Sequence, residues 1–337
     1  MKTLIIESCE KRMQADTITS IVHVKNSLIL RDYLECDFVS HESEIPQALE
    51  KKYDKIICAY SSPYMKYNKY LEILQKNVDA EMYWLVNDHD IEDNILLRKW
   101  LLLNNKPYNM ICNNPRTGYR GWILRKKMNG LTLNDWIKDW HTVNLNTLVF
   151  DENVFFNSNV AKQDVIYYGT FRKHRIKDML NYNNVNYILS SSAKNHLKYK
   201  DAGIQAKFIE KIIWTEKEAD LFEPIGLRLK DYKYSIYFED EHTHTNYAFM
   251  ANRFYECVMN NVLMFYDSRC TLVIEKSGYA IDPFQIVANG EELKEKMEML
   301  DSDNQSYKHY LTIQQSNVEI IKSEKNQVLE AVKGILQ

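Results

Sequence analysis

The 337-residue sequence carries no net positive charge. At −3 it has no global field to draw it onto nucleic acid or membrane, so any nucleic-acid contact has to come from a local patch. It has little cysteine. Cys9, Cys36, Cys58, Cys112, Cys257 and Cys270 are scattered without CxxC spacing, mostly in apolar runs. They read as reduced core residues of a cytoplasmic protein. MKTLIIESCE enters a strand with no signal-type apolar region, and no stretch is long enough to span a bilayer, so no membrane partner is expected. No internal repeat or low-complexity tract stands out. Glycine is scarce, at 9 residues, and tyrosine is plentiful, at 23, which supplies amphipathic rings for clefts and stacking. What remains is 45% hydrophobic and 26% charged, a composition that folds, over a length that suits two domains.

Short apolar runs alternate with helix-spaced segments. Strands are expected at Thr3–Ile6, 37–40, Ile56–Ala59, Met82–Val86 and Asn109–Cys112, with helices over 15–34, 45–52 and 67–75 between them. Leu131–Trp140 reads as a helix. The rhythm restarts at Asp164 with the strand Val165–Tyr168, a turn at Gly169 and a helix over Thr170–Leu180. Strands at Asn186–Leu189, Lys207–Ile213 and Tyr234–Phe238 follow, then a polar loop over Glu239–Asn246. Helices over Gly290–Leu300 and Val318–Leu336 close the chain. Strand–helix alternation of this kind argues for parallel, doubly wound sheets, whose ligands sit beyond the C-terminal strand ends.

The stretch that organises the second half is Thr245–Asp267, TNYAFMANRFYECVMNNVLMFYD. It reads as a helix, an Asn260-Asn261 stop and a buried strand at Val262–Tyr266. Arg253 and Glu256 share one face of that helix. Glu256 could accept from the two vicinal hydroxyls of a ribose and Arg253 could hold a diphosphate; on this helix alone a surface ion pair is the more ordinary reading. In VIYYGTFRKHR a strand, Gly169 and Thr170 lead into a helix start with Arg172 and Arg175, where an anion would offset basic residues that oppose the helix dipole. A solvated basic face is the competing reading. Asp88, at the end of YWLVND, sits where a general base could face a crevice. His242 and His244 are metal ligands by type, though two histidines in a polar loop are more often simply exposed. Arg116, Tyr119, Arg120, Trp122, Arg125, Lys126 and Lys127 make the densest basic patch, interleaved with aromatics that could stack in a duplex.

YDKIICAYSS, YWLVNDHD, DVIYYGTFRKHR, the 245–267 stretch and LTIQQSN fall in the order and spacing found in the T-even bacteriophage DNA β-glucosyltransferases, and the chain resembles that family over most of its length. The resemblance implies an α/β GT-B fold: two Rossmann-like, doubly wound domains facing a central cleft. Residues 1–158 plus 318–337 would form the acceptor domain, with a returning C-terminal helix, and residues 159–317 the donor domain. It implies a monomeric, UDP-sugar-dependent, inverting transferase in the infected host's cytoplasm. Glucose would pass from UDP-glucose to hydroxymethylated pyrimidines of duplex DNA, with base flipping and with Mg2+ or Mn2+ assisting. By position, Asp88 matches the base, Arg172 and Arg175 the diphosphate arginines, and Arg253 with Glu256 the donor pair. Three departures stand out. Arg172 and Arg175 are three apart where the family has four; Glu241-His242-Thr243-His244 replaces a loop with a tyrosine; and Asn113–Lys127 has no counterpart. A GT-B transferase for a surface polysaccharide or small molecule, and a catalytically idle DNA-binding protein of the same fold, stay open.

Overall fold

The computed structural model describes residues 2–7, 18–40, 42–59, 67–86, 104, 106–112, 127–128, 131–132, 137–151, 162–169, 171–210, 229–239 and 249–337. The chain divides into two compact units. One contains Ser20–Leu148 and Lys325–Gln337, and the other contains Val149–Glu324.

The first unit is built on β1 (Thr3–Ile6), β2 (Asp37–Val39), β3 (Lys55–Cys58), β4 (Glu81–Val86), β5 (Tyr108–Cys112) and β8 (Ile137–Thr142). A separate two-stranded ribbon pairs β6 (Lys127–Met128) with β7 (Leu131–Thr132). The six strands lie in the order β2-β1-β3-β4-β5-β8, all parallel. Apolar residues dominate β1, β3 and β5 because both faces of the sheet are covered, with Lys55 and Asn109 the buried polar exceptions in β3 and β5. Successive side chains point to opposite faces. Leu4, Ile6, Ile56, Met82 and Trp84 pack with α2 (Ile45–Leu49) and α3 (Tyr67–Lys76). Ile5, Ile57, Tyr83 and Leu85 face the other way. There they meet Leu30 of α1 (Ile18–Leu34) and Val328, Leu329, Val332 and Leu336 at the end of the chain. The segment read as a helix over Leu131–Trp140 is instead β7 and β8. Ile137–Thr142 lies parallel to β5 and pairs Trp140 with Met110 and His141 with Ile111. A neighbouring strand edge with open hydrogen-bonding groups outweighs weak local helix preference.

The second unit contains β9 (Lys162–Tyr168), β10 (Tyr187–Ser191), β11 (Lys207–Glu210), β12 (Tyr232–Tyr237), β13 (Leu263–Asp267) and β14 (Ile286–Val287). Their order is β11-β10-β9-β12-β13-β14, again all parallel. Counted within the unit this is the 3-2-1-4-5-6 order of dinucleotide-binding sheets, with its reversal between β9 and β12. The first unit has the 2-1-3-4-5 order with β8 added beside β5, and its reversal lies between β1 and β3.

The expected helix over Thr170–Leu180 is broken. A single 3-10 turn at Lys173–Arg175 leads into one turn of α-helix, α4 (Ile176–Met179), and Arg172 at its start makes no side-chain cap. So short an element has no useful dipole, and the helix N-terminus argument for an anion does not hold here. Beyond it come α5 (Ala193–Asp201), α6 (Asn252–Met259), α7 (Thr271–Ser277), α8 (Gly290–Ser302), α9 (Asn304–Gln315) and α10 (Asn317–Ile335). The helix α9 carries no strong apolar stripe, and polar contacts anchor it. The Gln314 side chain accepts from Met264 N at 2.9 Å and donates to Val262 O at 2.9 Å, which docks α9 on β13.

Candidate functional site

At a strand-order reversal the flanking connections leave in opposite directions and open a crevice at the C-terminal strand ends. In the second unit that position is the end of β9, at Tyr168 and Gly169, beside the end of β12, at Phe238 and Glu239. Polar side chains from three segments converge there.

Arg253, in the first turn of α6, is buried. Its Nε and Nη2 donate to Tyr168 O at 3.2 and 2.9 Å, and Nη1 donates to Phe238 O at 3.3 Å. One guanidinium thus ties the ends of β9 and β12 together. A planar fork of donors suits this role, and a lysine could not span both carbonyls. Its Nη1 is 3.6 Å from Glu239 Oε1, and its Cζ lies 4.7 Å from the centre of the Tyr167 ring. Burial works against the charge, but Tyr167 and Glu239 outweigh it, so the Arg253 pKa is raised and the residue stays cationic. Gly169 makes this approach possible. Its φ is +149°, and a Cβ there would lie 3.1 Å from Arg253 Nη2. The Gly169 carbonyl accepts from Ser191 Oγ at 2.7 Å, which fixes the turn against β10.

Arg175 comes from the 3-10 turn. Its Nη2 is 2.6 Å from Glu239 Oε2, and its Nη1 donates to Tyr167 Oη at 3.3 Å. The Glu239 side chain is 3% exposed, so two guanidinium groups share one buried carboxylate. Burial pushes the Tyr167 phenol up, but Arg175 and Arg253 more than offset it and leave it below the usual phenol value. Arg172 is half-buried, with extended backbone at φ −129° and ψ 119°.

Glu256, three residues after Arg253, is 1% exposed and accepts a hydrogen bond from the Tyr168 hydroxyl. Burial, with the Glu256 charge beside it, raises Tyr168 well above the usual phenol value. Arg253 and Glu256 are therefore not a solvated ion pair. Each is buried in the strand-end region, Arg253 against Glu239 and two carbonyls, Glu256 against Tyr168.

The structure thus brings Gly169, Arg175, Arg253 and Glu256 together, with Arg172 on the adjoining turn. Thr170 lies outside the described residues, as do Asp88, Arg116, Tyr119, Arg120, Trp122, Arg125, Lys126, His242 and His244. Lys127 is described at its backbone, as the first residue of β6. Among the described residues no group of three His, Cys, Asp or Glu side chains could hold a metal ion. Glu239 and Tyr167 are the site residues that sequence reasoning passed over. Glu239 was read as the start of a polar loop, yet it directly follows YSIYF at a strand end, the position where Asp88 was singled out in the other half.

Two parallel six-stranded sheets with helices give this chain the GT-B glycosyltransferase fold. Neither a family model nor a curated protein sequence matches it. Solved structures do. A point mutant of T4 phage β-glucosyltransferase in complex with UDP-glucose superimposes with a TM-score of 0.70 at 15% identity, covering 99% of each chain. The same phage protein with UDP and Mn2+ gives 0.68 at 15%, again over 99% of each. The Anabaena protein HepE with UDP-glucose gives 0.50 at 12%, over 99% of this chain and 100% of that one.

Proposed function

We propose that the chain is an inverting glycosyltransferase that moves glucose from UDP-glucose to the hydroxyl of a hydroxymethylated pyrimidine, 5-hydroxymethylcytosine, in duplex phage DNA. The observation that carries this reading is the cluster of Arg175 and Arg253 at the β9–β12 reversal, with Arg172 on the adjoining turn. It lies where a doubly wound sheet binds nucleotides. The fold is shared with a T4 phage protein that binds UDP-glucose and is a DNA-modifying enzyme.

The chemistry follows from the residue types. The unit that contains Val149–Glu324 is the donor domain, and the unit that contains Ser20–Leu148 and Lys325–Gln337 is the acceptor domain. Asp88, just past β4, takes the proton of the acceptor hydroxyl. That oxygen attacks the anomeric carbon on the face opposite UDP, and the bond from carbon to the β-phosphate oxygen breaks with its electron pair going to UDP. Configuration inverts. The arginines stabilise the negative charge that grows on the departing diphosphate, where fixed cations in a dry site act most strongly. Glu256 holds the ribose hydroxyls. The base is flipped so that its hydroxyl reaches the donor, and Arg116–Lys127 meets the phosphates. Mn2+ accompanies UDP in one T4 phage structure. At the β9–β12 crevice Glu239 is engaged by two guanidinium groups, and leaving-group charge there is assigned to the arginines.

A UDP-release assay with UDP-glucose, run with and without hydroxymethylcytosine-containing duplex, tests this reading. Release that depends on the modified duplex is expected. Release that ignores DNA but responds to a polysaccharide or small-molecule acceptor would replace the acceptor half of the proposal.

A further inference from the structure

Glu239 and Tyr167 are buried ionisable groups with no part in the chemistry above, yet both lie at the centre of the arginine cluster. The Tyr167 side chain is fully buried, and Glu239 is 3% exposed. What each touches is an arginine. Glu239 uses one oxygen for Arg175, at 2.6 Å, and sits with the other 3.6 Å from Arg253. Tyr167 accepts from Arg175 through its hydroxyl and lies with its ring under Arg253. A second tier holds the first. The Phe238 ring meets Tyr167 edge-on at 5.3 Å.

From this geometry we infer that Glu239 and Tyr167 are positioning residues, which hold Arg175 and Arg253 in the orientation that meets the donor's diphosphate and do not touch the donor themselves. The inference rests on the proposed UDP-sugar reading. Two guanidinium groups brought to one buried corner repel each other, and a bridging carboxylate offsets that repulsion without filling the corner. The group keeps a net positive charge for an incoming diphosphate. A glutamine could not do the same. Its amide has one acceptor oxygen and one NH2 donor, so one arginine would face a donor. The Tyr167 hydroxyl adds direction to Arg175, whose long stem would otherwise sample several rotamers. Burial raises the Tyr167 pKa, yet the two arginines bring it below the ordinary phenol value, as expected of a hydroxyl that accepts from cations.

The test is a double-mutant cycle read in both transfer rate and UDP affinity. Tyr167→Phe keeps the ring under Arg253 and removes only the contact to Arg175. It should lower kcat about 3- to 10-fold, within the range of one ordinary hydrogen bond, as suits a contact of 3.3 Å. In an Arg175→Met background the same change should cost less than about twofold, because the group it acts through is gone. Glu239→Gln should lower kcat by more than Tyr167→Phe does, and Glu239→Asp, which keeps the charge, should recover part of that loss. Urea unfolding of each variant checks that it is folded at the assay temperature. Equal losses from Tyr167→Phe in both backgrounds would overturn the inference and leave the UDP-sugar reading intact, as would Glu239→Asp behaving no better than Glu239→Gln. A wild-type protein that binds no UDP in calorimetry would overturn the reading, and the inference with it.

Discussion

Removing the Arg253 guanidinium gives the sharpest separation between a residue that builds the site and one that merely visits its ligand. In Arg253→Ala, Tyr168 O and Phe238 O lose their donors at the ends of β9 and β12, and Glu239 keeps Arg175 as its remaining arginine neighbour. Each buried carbonyl left without a donor costs about 1–3 kcal/mol. Breaking a buried charge pair costs about 3–5 kcal/mol in total, and the two estimates overlap. We therefore expect about 3–5 kcal/mol of lost stability, a large share of the roughly 5–15 kcal/mol that holds a domain folded. Arg253→Lys keeps the charge but not the fork, and should lose an intermediate amount. Equilibrium urea unfolding measures both, and UDP calorimetry well below the transition separates stability from affinity. An Arg253→Ala protein less than about 1 kcal/mol below wild type would mean that these carbonyls find water or another donor, and that Arg253 does not organise the strand ends.

Four further outcomes are expected. Glu256→Ala should weaken UDP binding by about 1–3 kcal/mol, the cost of a lost charged hydrogen-bond partner, and unchanged affinity would remove Glu256 from the donor site. Asp88→Asn should cut turnover roughly 10²- to 10⁴-fold with UDP affinity intact, and near-normal turnover would assign the base elsewhere. Replacing Arg120, Lys126 and Lys127 together by alanine should lower the slope of log DNA affinity against log salt by up to about three with no effect on UDP, and an unchanged slope would place the DNA surface elsewhere. Burial raises the Tyr108, Tyr168, Tyr237 and Tyr266 phenols well above the ordinary value and pushes the Cys257 thiol up to about 12. Groups with raised folded pKa values stabilise fully below their unfolded values, about 8.5 for Cys and 10 for Tyr, and lose that contribution as pH rises toward the folded ones. The urea midpoint should therefore fall steeply above about pH 10, and a midpoint constant up to about pH 11 would contradict the burial of these side chains.

The sheets were legible because parallel strands covered on both faces leave short apolar runs, and TLII, KIIC, YILSS and LMFYD each hold one with polar residues only at the strand ends. IKDWHT is not, and only its pairing with β5 makes it a strand. The turn after Gly169 misled because FRKHR has ordinary helix formers, while nothing in its pattern shows that its first turn would be 3-10 and uncapped. The same limit hid the site's inner partners. Arg253 and Glu256 are three apart and look like each other's counter-ions, but their partners come from strand ends. Arg175 and Glu239 are 64 residues apart in sequence. Such a pairing is set by strand order, so it becomes visible when β9 and β12 are seen side by side.

The central claim, glucose transfer from UDP-glucose to a hydroxymethylated base, is tested most directly by intact-mass analysis of a duplex oligonucleotide containing 5-hydroxymethylcytosine. After incubation with the protein and UDP-glucose, the account predicts a gain of one hexose per hydroxymethylcytosine and none on a matched cytosine duplex. An unchanged mass under conditions where the same preparation binds UDP would contradict it.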